Sequence, residues 1–399
     1  MKNSAKNALT IGITCSLAYL FVYFVRNILS VVSPEMISEG ILTEEQIGSL
    51  SSVFFITYAI GQLINGIIGD KIKAKYMMSV GLLLAGISNI FFSFKGSDYA
   101  TLYISYGLCG YFLSMIYGPM TKLVAESTAP HHASRCSVGY AFASYLGSPL
   151  AGIVAIIFSW TLVFLCGSLT LIMSGIACFI IFTLLEKKGV ITYKNDNTYK
   201  RKKGRIKILL QKKIVKFTLV SLLTGIVRTA VVFWLPTYYT QYLNFTVESS
   251  AIIFTISTLF TSINSFVAII VYEKLNRNLD ITMVLSFSLS AICFLTCIFV
   301  KLPILNVILI NLAIFSANGS SAMLWSRYCP GLSSTGLVSS ATGFLDFVSY
   351  MAASISSAIF ANAVSVIGWS GLIIVWFILM VLGIFVAIPY DKNTHYLDE

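Results

Sequence analysis

Two arginines stand in stretches of chain that otherwise read as lipid-spanning. Arg26 lies in "VYFVRNILSVVSP" (residues 22 to 34) and Arg228 in "VRTAVVFWLP" (227 to 236). An Arg at the centre of a membrane helix costs roughly 2.5–3.5 kcal/mol on insertion scales, so a chain that keeps one uses it on a substrate or ion path. A guanidinium is suited to forked hydrogen bonding with phosphate or carboxylate. The two apolar runs contain no acid to pair with either arginine. That points to an external anion as the partner, phosphate or a phosphate ester first and a carboxylate second.

Other polar groups fall at matching depth. Tyr19 and Tyr23 precede Arg26 by seven and three residues, which places them on the same helical face with hydroxyls to offer an anion. Lys122 is a third cation within an apolar run, with Glu126 one turn away as its local alternative partner. At about 10 Å and an effective dielectric of ~20, each pair of cations facing one cavity repels by about 1.7 kcal/mol, and a dianion between them removes that cost. Asp346 is the clear mid-membrane acid and the candidate for coupling, whether by carrying a proton, holding a cation or binding a polar part of the substrate.

These residues must be carried by membrane helices. The chain of 399 residues is 57% hydrophobic and 11% charged, beyond what a soluble fold buries. Apolar runs near the ~20 residues needed to cross the hydrocarbon layer recur along it. The expected spans are 8–32, 46–69, 77–95, 101–124, 137–158, 160–185, 217–243, 250–272, 281–300, 304–326, 337–362 and 368–389. The fold class is therefore an all-α membrane protein with twelve transmembrane helices. The first span carries Arg26 and no clean small-residue cleavage site after it, so it is expected to stay with the protein.

The net charge of +11 does not indicate a nucleic-acid partner. With the N-terminus inside, only Lys95 and Lys301 fall outside, Arg26, Lys122 and Arg228 fall within spans, and the other basic residues face the cytoplasm. The positive-inside rule then places both termini in the cytoplasm, in a bacterial inner membrane or a plasma membrane. Residues 186 to 216 hold twelve Lys and Arg and read as a basic linker, with a short amphipathic helix expected on the anionic inner leaflet. It separates an N-terminal six-helix bundle (1–185) from a C-terminal one (217–399).

The two halves repeat. Val-Arg, seven residues, then Pro occurs at Arg26 and again at Arg228, and Asp70-Lys71 corresponds to Glu273-Lys274, Gly118 to Gly319 and Gly139 to Gly343. An even number of spans between counterparts makes this a parallel repeat, which puts substrate near the midplane at the interface of the halves. "GIIGDKIKAK" (66 to 75) follows span 2, and its acid and basic run suit an electrostatic latch formed in one of two conformations, with Asp70, Lys71 and Lys73 as candidates.

On "AYLFVYFVRN", "TYAIGQLINGIIGDK", "VRTAVVFWLPTYY" and "ATGFLDFVSYMAAS" the chain resembles the organophosphate:phosphate antiporter family of the major facilitator superfamily. The resemblance covers nearly all twelve spans. It implies the major facilitator fold of two pseudo-symmetric six-helix bundles, and exchange of a small organic phosphate for inorganic phosphate. It further implies that Arg26 and Arg228 grip the phosphate with Tyr19, Tyr23 and Tyr350 assisting. The chain departs from the glycerol-phosphate type at Gln62, Ser144 and Phe233, where a lysine, a histidine and an acid are expected. Gln62, Ser144 and Asn318 in span 10 complete the candidate substrate contacts.

Enzymatic chemistry is not indicated. Cys293 and Cys297 are one turn apart without an accompanying His or carboxylate, the eight cysteines read as packing residues, and His131, His132 and His395 belong to no catalytic set. No cofactor or metal is expected. The expected partners are a small anion, inorganic phosphate as counter-substrate and the lipid bilayer, for a carrier that functions as a monomer. The rival readings are proton-coupled symport of a carboxylate or sugar acid through Asp346, and a transporter-like membrane sensor.

Overall fold

The computed structural model describes residues 2–69, 72–94, 98–128, 130–191, 210, 212–329, 332 and 338–389. Every regular element among them is helical. In chain order they are α1 (Lys2–Ser38), α2 (Glu44–Gly69), α3 (Ala74–Asn89), α4 (Tyr99–Leu113), α5 (Tyr117–Ser127), α6 (Pro130–Ile157) and α7 (Trp160–Lys187). Then follow α8 (Ile214–Gly225), a π-helical turn (Ile226–Val231), α9 (Val232–Gln241), α10 (Val247–Ser262), α11 (Asn264–Lys274), α12 (Leu279–Phe299), α13 (Pro303–Met323), a second π-helical turn (Leu324–Tyr328) and α14 (Val338–Ala387).

Nine helices among the described residues are long and apolar enough to cross a membrane, and α6 adds a shorter apolar stretch at 142–157. The fourth expected span is divided between α4 and α5 by a turn at 114–116, so neither piece reaches spanning length alone. α14 has 50 residues, about 75 Å at 1.5 Å per residue and far more than one bilayer requires. It holds the last two expected spans, joined at Gly368, whose φ of 67° is a conformation that glycine adopts without strain.

Two compact units form: residues 1–198 with 246–258, and residues 199–245 with 259–399. Within the first, α1 lies against the small-residue face of α6. A side chain at Gly147 would run into Tyr23, and Cys136 closes on Gly12. Small residues let helix backbones approach where lipid supplies no hydrophobic drive. The first part of α10 belongs to this unit because Gly152 of α6 admits Thr255 and the Ala251 carbonyl. Polar ties hold other pairs: Asn89 Nδ2 donates to Ser168 Oγ (3.1 Å) between α3 and α7, and Thr57 Oγ1 to the Gly107 carbonyl (2.7 Å) between α2 and α4. Asp98 caps α4 by accepting from Thr101, whose hydroxyl and N–H hold the Asp98 carboxyl below the usual carboxylate range.

In the second unit Gly225 of α8 abuts Ser349 of α14, and Ser221 Oγ donates to the Leu345 carbonyl (2.6 Å). Asn306 at the start of α13 accepts from Tyr238 Oη and donates to the Cys297 and Val300 carbonyls (both 3.0 Å). Lys216 Nζ pairs with Asp280 (3.0 Å), which is 2% exposed, and also donates to the Ala387 carbonyl near the end of α14 (2.8 Å). Of the basic linker, residues 192–209 and 211 lie outside the described set, and with them the amphipathic helix expected there.

Candidate functional site

Arg26 is buried in the first unit, 8% exposed, on the face of α1 that also carries Tyr19 and Tyr23. Its guanidinium carbon lies 5.1 Å from the Tyr23 ring centroid, 5.2 Å from Phe55 and 5.7 Å from Tyr58. Tyr23 is one helical turn before Arg26, and Phe55 and Tyr58 are one turn apart on α2, so two helix faces wrap one cation. Each such contact is worth about 0.5–2 kcal/mol, more when desolvated. Rings engage the faces of a guanidinium, whereas its five N–H donors lie in its plane, the direction from which an oxyanion is bound.

The tyrosines extend the box. Tyr19 meets Tyr23 edge-on at 5.0 Å, stacks on Tyr117 of α5 at 5.6 Å and meets Tyr140 of α6 edge-on at 6.1 Å. Four helices thus contribute to one aromatic cluster rich in phenol hydroxyls. Gln62 follows Tyr58 by one turn on α2, Ser144 follows Tyr140 by one turn on α6, and Lys122 lies on α5 five residues after Tyr117; all three are half-buried.

In the second unit Arg228 sits in the π-helical turn at 226–231, half-buried, its guanidinium carbon 6.0 Å from the ring of Trp325. Trp325 itself belongs to the π-helical turn at 324–328. An inserted residue of this kind re-aims side chains and recurs at functional sites. Asn318 precedes Trp325 by two turns on the same span, and its Oδ1 is buried without a hydrogen-bond partner among the described residues. Asp346 and Tyr350 are one turn apart on α14, the acid half-buried and the tyrosine buried. Phe233, where an acid is expected by resemblance, is a packed ring edge-on to Trp234 at 5.5 Å.

Sequence reasoning missed Phe55, Tyr58, Tyr117, Tyr140, Trp325 and Arg327. Arg327 lies one residue past the expected end of span 10 and stacks on Tyr272 at 5.1 Å. The spacing of Trp325 seven residues after Asn318 was an available signal, since that interval keeps one helical face. Of the expected latch, Asp70 and Lys71 lie outside the described residues. Lys73 Nζ pairs with Glu186 at 2.7 Å, and Lys75 takes the other oxygen of the same carboxylate at 2.5 Å.

A family model described as Major Facilitator Superfamily matches residues 15–357. The chain is 40% identical over 88 residues to the membrane sensor protein UhpC of Salmonella typhimurium, a stretch covering 22% of this chain and 20% of that protein. It is 31% identical over 110 residues to a probable hexose phosphate transport protein of Chlamydia trachomatis, covering 28% and 24%. The matched stretches span about a fifth to a quarter of the length of these relatives. The solved structure of a D-xylose-proton symporter aligns over 97% of this chain and 99% of its own with a TM-score of 0.75 at 14% identity, a likeness of fold.

Proposed function

Because the chain belongs to the major facilitator superfamily, we propose that it is a secondary transporter of a small organic phosphate, moved by alternating access in exchange for inorganic phosphate. The observation that carries this reading is the setting of Arg26, a buried guanidinium whose neighbours on α1 and α2 are aromatic rings. Arg26 and Arg228 each supply a fork to the phosphoryl group, and Tyr19, Tyr23 and Tyr350 supply hydroxyls. The names of the hexose phosphate transport relatives support phosphate esters as the substrate class. Gln62, Ser144, Asn318 and Lys122 are assigned to the organic part and the surrounding polar shell.

Strict exchange follows from the charges. Two positive charges carried within membrane spans disfavour reorientation of the empty carrier, and a bound anion offsets them. The basic cytoplasmic face, with Asp70, Lys71 and Lys73, is assigned to the two-state latch, and the carrier works as a monomer in a bacterial inner or plasma membrane with both termini inside. The test is uptake of labelled hexose phosphate, glycerol phosphate and phosphoglycerate into proteoliposomes loaded with phosphate. Uptake that requires internal phosphate supports the reading; pH-driven uptake without trans-stimulation would replace it with proton symport through Asp346.

One observation favours a second reading. Two relatives, 40% and 38% identical to this chain over 88 residues, are named membrane sensor proteins. A sensor would bind the same anion without turnover, so ligand binding by purified protein with no counterflow in liposomes would select it.

A further inference from the structure

The two arginines are held differently. The box around Arg26 is built from Tyr23, Phe55 and Tyr58. Tyr23 corresponds to Gly225 at the offset of 202 that relates the arginines (228 − 26), and Phe55 and Tyr58 correspond to Thr258 and Thr261 at the offset of 203 that relates Asp70 to Glu273 (273 − 70), so none of the three rings has an aromatic counterpart. Arg228 is served instead by Trp325, which comes from the tenth span. Trp160, Trp234, Trp369 and Trp376 are buried in packing, whereas Trp325 is half-buried inside a membrane span. Each partner of this contact lies in a π-helical turn. A large aromatic face left partly uncovered beside a cation is poor packing and good recognition: the indole offers a face to the guanidinium, apolar area to a carbon skeleton and one N–H to a hydroxyl.

Resting on the reading of the chain as an organic-phosphate carrier, we propose that Trp325 is the residue that makes it prefer the ester over inorganic phosphate, by steadying Arg228 and covering the organic moiety. Inorganic phosphate gains only the first of these effects, and the ester gains both. The ratio of the two affinities therefore isolates the contribution of Trp325 from any general loosening of the site.

The experiment is titration calorimetry of the purified full chain in detergent, with inorganic phosphate, glucose 6-phosphate and 3-phosphoglycerate as probes, on the wild type, Trp325→Phe and Trp325→Leu. Removing the cation–π contact should weaken phosphate about threefold, and removing the apolar cover as well should weaken the preferred ester about thirtyfold. The preference for the ester thus falls about tenfold in Trp325→Leu. In Trp325→Phe, which keeps a ring and carries the test if the leucine variant is not monodisperse, it falls about threefold. A preference unchanged within twofold in both variants would overturn the proposal while leaving phosphate-ester transport standing. A wild type that binds none of the three probes would overturn both, and is recognised without reference to any variant.

Discussion

A guanidinium boxed by rings has two separable functions, and single substitutions should divide them. Phe55→Leu removes one cation–π contact of about 0.5–2 kcal/mol, so half-saturation for phosphate should rise by about 2–30-fold with the maximal exchange rate less affected. Arg26→Lys keeps the charge and loses the fork, and should weaken anion binding by about 10–100-fold, measured by calorimetry. Arg26 and Arg228 stand out in the sequence as charges in acid-free apolar runs, and the structure sets each beside an aromatic ring. Phe55, Tyr58, Tyr117 and Tyr140 do not stand out there, since an aromatic ring in an apolar helix looks the same whether it packs against lipid, core or cation. Only the crossing of α1, α2, α5 and α6 distinguishes them.

Helix contacts set where those side chains stand. Gly147 meets Tyr23 one turn before Arg26, and Gly225 meets Ser349 one turn before Arg228. Gly147→Val and Gly225→Val should each destabilise by about 1–3 kcal/mol, read as a lowered midpoint of thermal unfolding in detergent. Gly118→Ala, where an added Cβ meets nothing within 4 Å, should be neutral or stabilising by up to about 1 kcal/mol. Lys216 and Asp280 give a second case. Lys216→Met removes the cation paired with a carboxylate that is 2% exposed, and should cost about 3–5 kcal/mol, with Lys216→Met/Asp280→Asn recovering most of it. Helix positions were readable from hydropathy alone. The turn at 114–116 and the π turns at 226–231 and 324–328 were not, because hydropathy reports burial in lipid and carries no record of which carbonyl each N–H reaches. Those local departures are where Arg228 and Trp325 are aimed.

The whole molecule has the superfamily's fold, and the duplicated Val-Arg-x7-Pro signature made a two-bundle plan legible before any contact was known. The substrate class is a proposal: Gln62, Ser144 and Phe233 stand where the glycerol-phosphate type is expected to carry a lysine, a histidine and an acid, while both arginines are kept, so the proposed anion grip and the proposed selectivity for the organic part fall on different residues. The proposed exchange is a property of the entire carrier, and the proposal stands or falls on both arginines together. The most direct measurement is counterflow of labelled hexose phosphate into phosphate-loaded proteoliposomes, comparing the wild type with Arg26→Lys and Arg228→Lys. Uptake that depends on internal phosphate and is abolished by either substitution is the expected result; uptake indifferent to both would contradict the two-arginine anion site.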